Sequence, residues 1–322
     1  MESLKLKRGS HRGDKAFKIA AAVAATYILA IIALMVFQLI SGSSAIWSKE
    51  GISFLTGSDW NAVQGRESYG AAPYIAGTFV TAGLAMLIGV PISMGIAMFM
   101  SELAPKFLRT PLSFMIELLA AVPSVIYGLW GIYIFRDYVR NWIEAPIINA
   151  FGNSVWFLSG APFGLDIFTA SLVLAIMIIP TISSISREIM IAVPNSQREA
   201  AYMLGATKWE VFKMAVIPYS KSGLVGASIL GLGRAVGETM AVTMLIGNAT
   251  GSSAFPSSLF APGQTMSSII ANEFAEASAG SLHLAALIGI GLILFIVAIA
   301  INIVAQVMVS RVLRAHEGAV LA

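Results

Sequence analysis

Arg234 and Glu238 stand four residues apart inside an otherwise apolar stretch, SGLVGASILGLGRAVGETMAVTML (222–245). On a helix that spacing puts both side chains on one face, about 40° apart and within reach of each other. A charge at the centre of a bilayer costs roughly 2.5–3.5 kcal/mol even on the most lenient insertion scale, so a substrate path is the first reading of such residues. Arginine offers a planar fork of donors that matches an oxyanion. A neighbouring carboxylate repels a fully deprotonated anion but accepts a hydrogen bond from one that keeps a proton. Hydrogenphosphate has that proton at neutral pH; sulfate does not. The pair therefore predicts a path for a protonated oxyanion, set against an internal ion pair that only fixes helix packing. Glu117 is the other ionisable residue within an apolar stretch. Its position favours a side chain reaching back to the membrane boundary, with Arg234 as the alternative partner.

Other chemistries are poorly supplied. Cysteine is absent, and His11, His283 and His316 are far apart, so neither a disulfide framework nor a metal site is expected. No G-x-x-x-x-G-K-[ST] loop is present to cradle nucleotide phosphates. The chain is thus expected to be non-catalytic and to carry no cofactor of its own. Charged residues make up 11% and hydrophobic residues 57% of the 322 positions, against roughly 25% charged in a soluble domain. Mean hydropathy is +0.81. The formal net charge of +3 does not point to nucleic acid, because basic residues in a membrane chain mostly set orientation.

The elements that must position the pair are membrane helices. Six apolar stretches, at about 19–40, 74–100, 112–135, 167–186, 222–247 and 284–309, are each long enough to cross a hydrocarbon core of ~30 Å. The predicted class is an all-α membrane protein of six transmembrane helices. The first stretch is too long for a signal-peptide core and is read as an uncleaved helix. Basic residues crowd the 1–18 head, the loop after the second span, the 187–221 segment and the tail, whereas 41–73, 136–166 and 248–282 hold few. That asymmetry puts both termini in the cytoplasm. The expected organisation is a basic head (1–18), a six-helix domain (19–314) containing the 187–221 loop, and a tail (315–322). The three outer loops, with a short helical pattern at 269–277, are read as ordinary connections, with re-entrant segments or a surface for an external partner as the alternatives. In the fifth span Gly231, Gly233 and Gly237 fall on or beside the arc of the two charges, while aliphatic residues fill the opposite arc. Small residues at such spacing let another helix approach closely.

The cytoplasmic segment reads SREIMIAVPNSQREAAYMLGATKWEVFKMAVIPYSKSG (186–223). Asn195 and Ser196 are good helix-starting types, Gly205 can end that helix, Thr207 can cap a second one, and Pro218 is expected to close it. The result is a helical hairpin with apolar residues at its tip, which usually means a partner.

Glu199-Ala200-Ala201, three residues, Gly205 and a stretch ending at Pro218 resemble the EAA loop of ABC importer permeases, departing from its pattern at Ala215 and Ile217. The segments 66–82, 116–131 and 231–242 are similar to the phosphate-specific, PstC-type permeases of that family. The resemblance implies a type I, MetI-like architecture in the cytoplasmic (inner) membrane. It implies that Glu199, Ala200, Ala201, Gly205 and Trp209 couple to an ATPase, and that Arg234 and Glu238 are needed for phosphate passage. It also implies partners: a second permease (PstA type), two ATP-binding subunits (PstB type) that carry ATP and Mg, a periplasmic phosphate-binding protein (PstS type), and phosphate-sensing proteins. The alternatives are an ABC permease for sulfate, molybdate or phosphonate, an ion-coupled carrier with Glu238 moving the proton, and a sensor that transports nothing. No paired repeats with broken helices are evident to support a carrier.

Overall fold

A computed structural model describes residues 11–63 and 65–320. Residues 1–10 of the expected head and the last two of the expected tail lie outside the described residues. The chain is a bundle of long helices. Helix α1 is His11–Glu50, and α2 is Ala72–Met98, continued by a π turn at Phe99–Leu103. A bent pair follows, α3 (Lys106–Ala121) and α4 (Ser124–Phe151). Next come α5 (Ile167–Ile191) and a hairpin helix, α6 (Asn195–Met203). Helix α7 runs over Lys208–Gly237, followed by short α8 (Met240–Leu245) and α9 (Met266–Glu273). Helix α10 is Leu282–Val320. Among the described residues, five helices are each long and apolar enough to cross a bilayer, and the bent pair makes a sixth candidate. This is a multi-pass membrane protein.

Four local outcomes differ from the sequence expectation, each with a physical reason. Helix α1 runs ten residues past the predicted end at 40, where Ser43, Ser44 and Ser48 satisfy their hydroxyls on carbonyls of their own helix and Ile46 packs into the core shared with α10. The predicted 112–135 span is not one straight helix: it bends by 89° between α3 and α4. Pro123 lacks an N–H and pushes Val122 out of the helical region, to ψ 126°. The Tyr127 hydroxyl donates to the Leu119 carbonyl at 2.9 Å across the break. Beyond the bend α4 continues through 136–151, which had been expected as an outer loop. Finally, Pro218 does not close a hairpin helix. It sits in the first turn after a π turn at Phe212–Val216, where no N–H is needed, and the helix runs on to Gly237.

Helices dissolved in lipid gain little from merely hiding apolar surface, so close packing of small residues carries association. The α2–α5 seam follows that rule: Ala85, Gly89 and Ser93 recur at four-residue spacing and are all buried. A Cβ on Gly89 would stand 3.0 Å from the Ile178 side chain. Helix α5 is the hub, burying Val173, Leu174, Ile178 and Ile182 against α2, α7 and α8. A second core, with Ile46, Phe54, Tyr74, Met266 and Ile290, joins the end of α1 to α9 and α10. A two-stranded antiparallel pair, Trp60–Asn61 with Ser68–Tyr69, lies beside it.

Candidate functional site

Arg234 lies in the last turn of α7, and Gly231 sets its distance from α5. A Cβ at position 231 would stand 2.4 Å from Ile182 Cδ1, so a larger residue would have to displace that side chain. One turn on, Arg234 Nη1 donates to Thr181 Oγ1 at 2.9 Å. Thr181 follows Pro180 inside α5.

Glu238 does not continue the helix. Its backbone is extended (φ −69°, ψ 126°) and α7 ends at Gly237. Its carbonyl accepts a hydrogen bond from Ser267 Oγ at 2.9 Å, so α9 satisfies the backbone where the helix is interrupted, as such breaks require in a membrane protein. The expected face-sharing pair is therefore corrected: the helical rotation that would align the side chains stops between them. Among the described residues Arg234 has no carboxylate within ion-pair distance, and the Glu238 carboxylate has no hydrogen bond or ion pair. Both side chains are half-buried. A guanidinium held by a neutral hydroxyl keeps its charge and most of its donors for an anion.

The glycines behave unequally. Gly231 packs against α5, whereas a Cβ at Gly233 or Gly237 would meet nothing within 4 Å. At Gly233 and Gly237 the expected close approach is thus not made by another helix of this chain among the described residues. Glu117 is not brought to Arg234; it lines a separate cavity with Arg109 and Arg187.

At the hairpin, Glu199 and Ala200 are exposed on α6 and Ala201 is buried. Gly205 has φ +82°, a left-handed conformation that ends the helix where a side chain would be strained. Thr207 and Glu210 form a capping box: Glu210 Oε2 accepts from Thr207 N at 2.7 Å, and Thr207 Oγ1 accepts from Glu210 N at 3.4 Å. Met203 and Leu204 at the tip are 87% and 83% exposed. Trp209 is also exposed and stacks on Phe212. The anchor of this hairpin escaped the sequence reading. Arg198 Nη2 pairs with Glu102 Oε1 at 2.9 Å and donates to the Met190 carbonyl at 2.7 Å, and Nη1 donates to the Val193 carbonyl. The only sequence signal was a basic residue just before the Glu-Ala-Ala run.

Two polar clusters at the opposite end, one buried and one half-buried, were also missed. Glu144 and Asp166 are fully buried. Glu144 accepts from Gly164 N at 3.0 Å and Thr169 Oγ1 at 3.2 Å, and Asp166 caps α5 by accepting from Thr169 N at 2.8 Å. Burial, then the Glu144 carboxylate beside it, pushes the Asp166 carboxyl up to about 8. Glu273 accepts from Trp60 Nε1 at 2.8 Å and lies 2.7 Å from His283 Nε2, clamping the strand pair to α9 and α10. No group of three or more metal-ligating side chains occurs among the described residues.

The family model for "Binding-protein-dependent transport system inner membrane component" matches residues 89–314. The chain is 48% identical over 291 residues to the phosphate transport system permease protein PstC of Pasteurella multocida, covering 89% of each chain. It is 45% identical over 301 residues to the protein of the same name from Haemophilus influenzae, covering 92% of this chain and 93% of that one. Among solved structures, a bacterial ABC transporter involved in the import of the acidic polysaccharide alginate is similar, with a TM-score of 0.57 at 15% identity over 94% of this chain and 99% of that one. The methionine ABC transporter MetNI in an inward-facing conformation is similar at a TM-score of 0.50 and 16% identity, over 75% of this chain and 94% of that one. With its hub helix, its exposed hairpin and these relatives, the chain belongs to the binding-protein-dependent transport system inner membrane components and has their MetI-like ABC permease fold.

Proposed function

We propose that this chain is the membrane-spanning permease subunit of an ATP-driven importer that passes inorganic phosphate into the cytoplasm. The observation that carries the reading is near-full-length similarity, at 48% identity, to a protein named as a phosphate transport system permease. Arg234 supports it chemically, because a guanidinium with no carboxylate partner among the described residues is suited to an oxyanion. Glu238, one residue beyond the helix end, is placed to accept a hydrogen bond from the P–OH of hydrogenphosphate. The exposed tip of the hairpin, with Glu199, Ala200, Ala201, Gly205 and Trp209 around it, would dock on a separate ATPase that holds ATP and Mg. The open glycine face at Gly233 and Gly237 would meet a second permease of PstA type. Two PstB-type subunits and a PstS-type binding protein complete the machine, which would sit in the inner membrane with both termini in the cytoplasm. The chain itself performs no catalysis in this scheme.

The test is reconstitution of the purified complex in proteoliposomes. Accumulation of labelled phosphate that needs ATP and resists a protonophore is the expected result. Accumulation driven by a proton gradient without ATP would overturn it, and sulfate uptake in place of phosphate would overturn the substrate assignment.

A further inference from the structure

The hairpin end of the bundle contains a cavity of about 410 Å³ between α3 and the last turn of α5. On α3, Arg109, Ser113 and Glu117 follow at four-residue spacing and share a face. Arg187 reaches across from α5, and its Nη1 donates to Ser113 Oγ. Arg109 is fixed from its other side, with Nε donating to the Ala104 carbonyl at 2.9 Å. Two guanidiniums thus face one space. Among the described residues neither is ion-paired, although Glu117 lines the same cavity. Arg187 Nε is buried with no hydrogen-bond partner, and so is the neighbouring Ser186 hydroxyl.

Buried donors on a cation are rarely left unmade, and two like charges on one cavity repel unless an anion lies between them. The donor set indicates what would fit: planar forks from two directions, with the Thr110 hydroxyl beside them, match a tetrahedral oxyanion, while the Ser113 hydroxyl donates to the Arg109 carbonyl at 2.7 Å and serves to hold the Arg187 fork. Glu117 on the same rim disfavours a fully deprotonated anion and accepts a hydrogen bond from one that retains a proton. Thr181, which holds Arg234, and Arg187 are six residues apart on α5, a rise of roughly 9 Å, with Ser183 and Ser184 between them lining the adjoining cleft.

We propose that the Arg109–Ser113–Arg187 cavity is a second oxyanion subsite, for a phosphate-class anion, one step along α5 from Arg234 toward the hairpin end. Naming the anion as phosphate-class rests on the proposed function; the site itself rests on the cavity and its unpaired donors.

The experiment is equilibrium binding of labelled inorganic phosphate to the assembled complex in zwitterionic-lipid nanodiscs, without ATP or binding protein. Wild type, Arg234→Gln, Arg109→Gln and Arg187→Gln are compared, with co-purified anionic lipid measured by mass spectrometry. Saturable binding that survives Arg234→Gln and weakens at least tenfold in both Arg109→Gln and Arg187→Gln is expected. If Arg187→Gln does not assemble, Arg109→Gln, which lies outside the packed cores, carries the same test. Binding abolished by Arg234→Gln and unchanged in Arg109→Gln would overturn the subsite, as would no oxyanion binding at all. Sulfate held in place of phosphate, with the same dependence on Arg109, supports the subsite and counts against phosphate as the transported anion. Retention of an anionic lipid that depends on Arg109 also supports the subsite and assigns it to a headgroup phosphate.

Discussion

Thr181 is the sole hydrogen-bond partner of the Arg234 guanidinium among the described residues. Hydrogen bonds to charged groups contribute roughly 1.5–3 kcal/mol, so Thr181 is expected to aim the arginine. Thr181→Val should lower phosphate uptake about tenfold or more at equal expression, and Thr181→Ser should restore it; equal uptake by Thr181→Val and wild type would remove that role. A second residue-scale expectation concerns Asp166. Its carboxyl is raised from 3.8 to about 8 by burial and by Glu144. The folded protein therefore prefers the protonated acid. Its stabilising contribution is complete below about pH 4 and is lost as the pH rises through about 8. The thermal midpoint of the purified protein should fall between about pH 5 and pH 9, and Asp166→Asn should flatten that fall. Asparagine keeps an oxygen for the Thr169 N–H, so the cap survives. An identical pH profile in the variant would show that the pair does not control stability.

At the scale of elements, the α5–α7 crossing depends on the missing side chain at Gly231. Gly231→Ala drives a methyl into the fully buried Ile182, and such overpacking costs about 1–3 kcal/mol. A lowered unfolding midpoint is expected, recovered in part by adding Ile182→Val, whereas Gly233→Ala meets open space and should leave the isolated chain unchanged. If both alanines cost the same, the crossing is not what the glycine protects. The same elements show what was readable from sequence. The hairpin was readable because its signals are local: Gly205 must adopt positive φ, and Thr207 needs only the amide three residues away. The apolar stretches gave five helices because length and hydropathy decide them. The end of α7 at Gly237 was hidden, because a serine on α9, 29 residues along the chain, takes the Glu238 carbonyl. The Arg234–Thr181 bond and the Glu144–Asp166 pair were hidden for the same reason, being contacts between distant segments. The bend at Val122–Pro123 was written in the sequence but outweighed by the tolerance of membrane helices for proline.

Across the whole molecule, polar side chains recur along the hub helix: Asp166 at one end, Thr181 holding Arg234, and Arg187 beside the hairpin. The hairpin is tied to the turn after α2 by Arg198–Glu102 and to the end of α5 by the bond from Arg198 to the Met190 carbonyl. Its exposed Met203 and Leu204 are the surface expected to meet the ATPase. Leu204→Asp should abolish co-purification of the ATPase while leaving the chain in the membrane; undiminished co-purification would place the contact elsewhere. The most direct measurement of the account is labelled-phosphate uptake in cells that lack this chain but retain its partners, complemented by wild type or by Arg234→Gln at matched expression. Restoration by wild type and its loss in Arg234→Gln is the predicted result. Full restoration by Arg234→Gln would contradict the assignment of Arg234 to the path, and no restoration by wild type would contradict phosphate import itself.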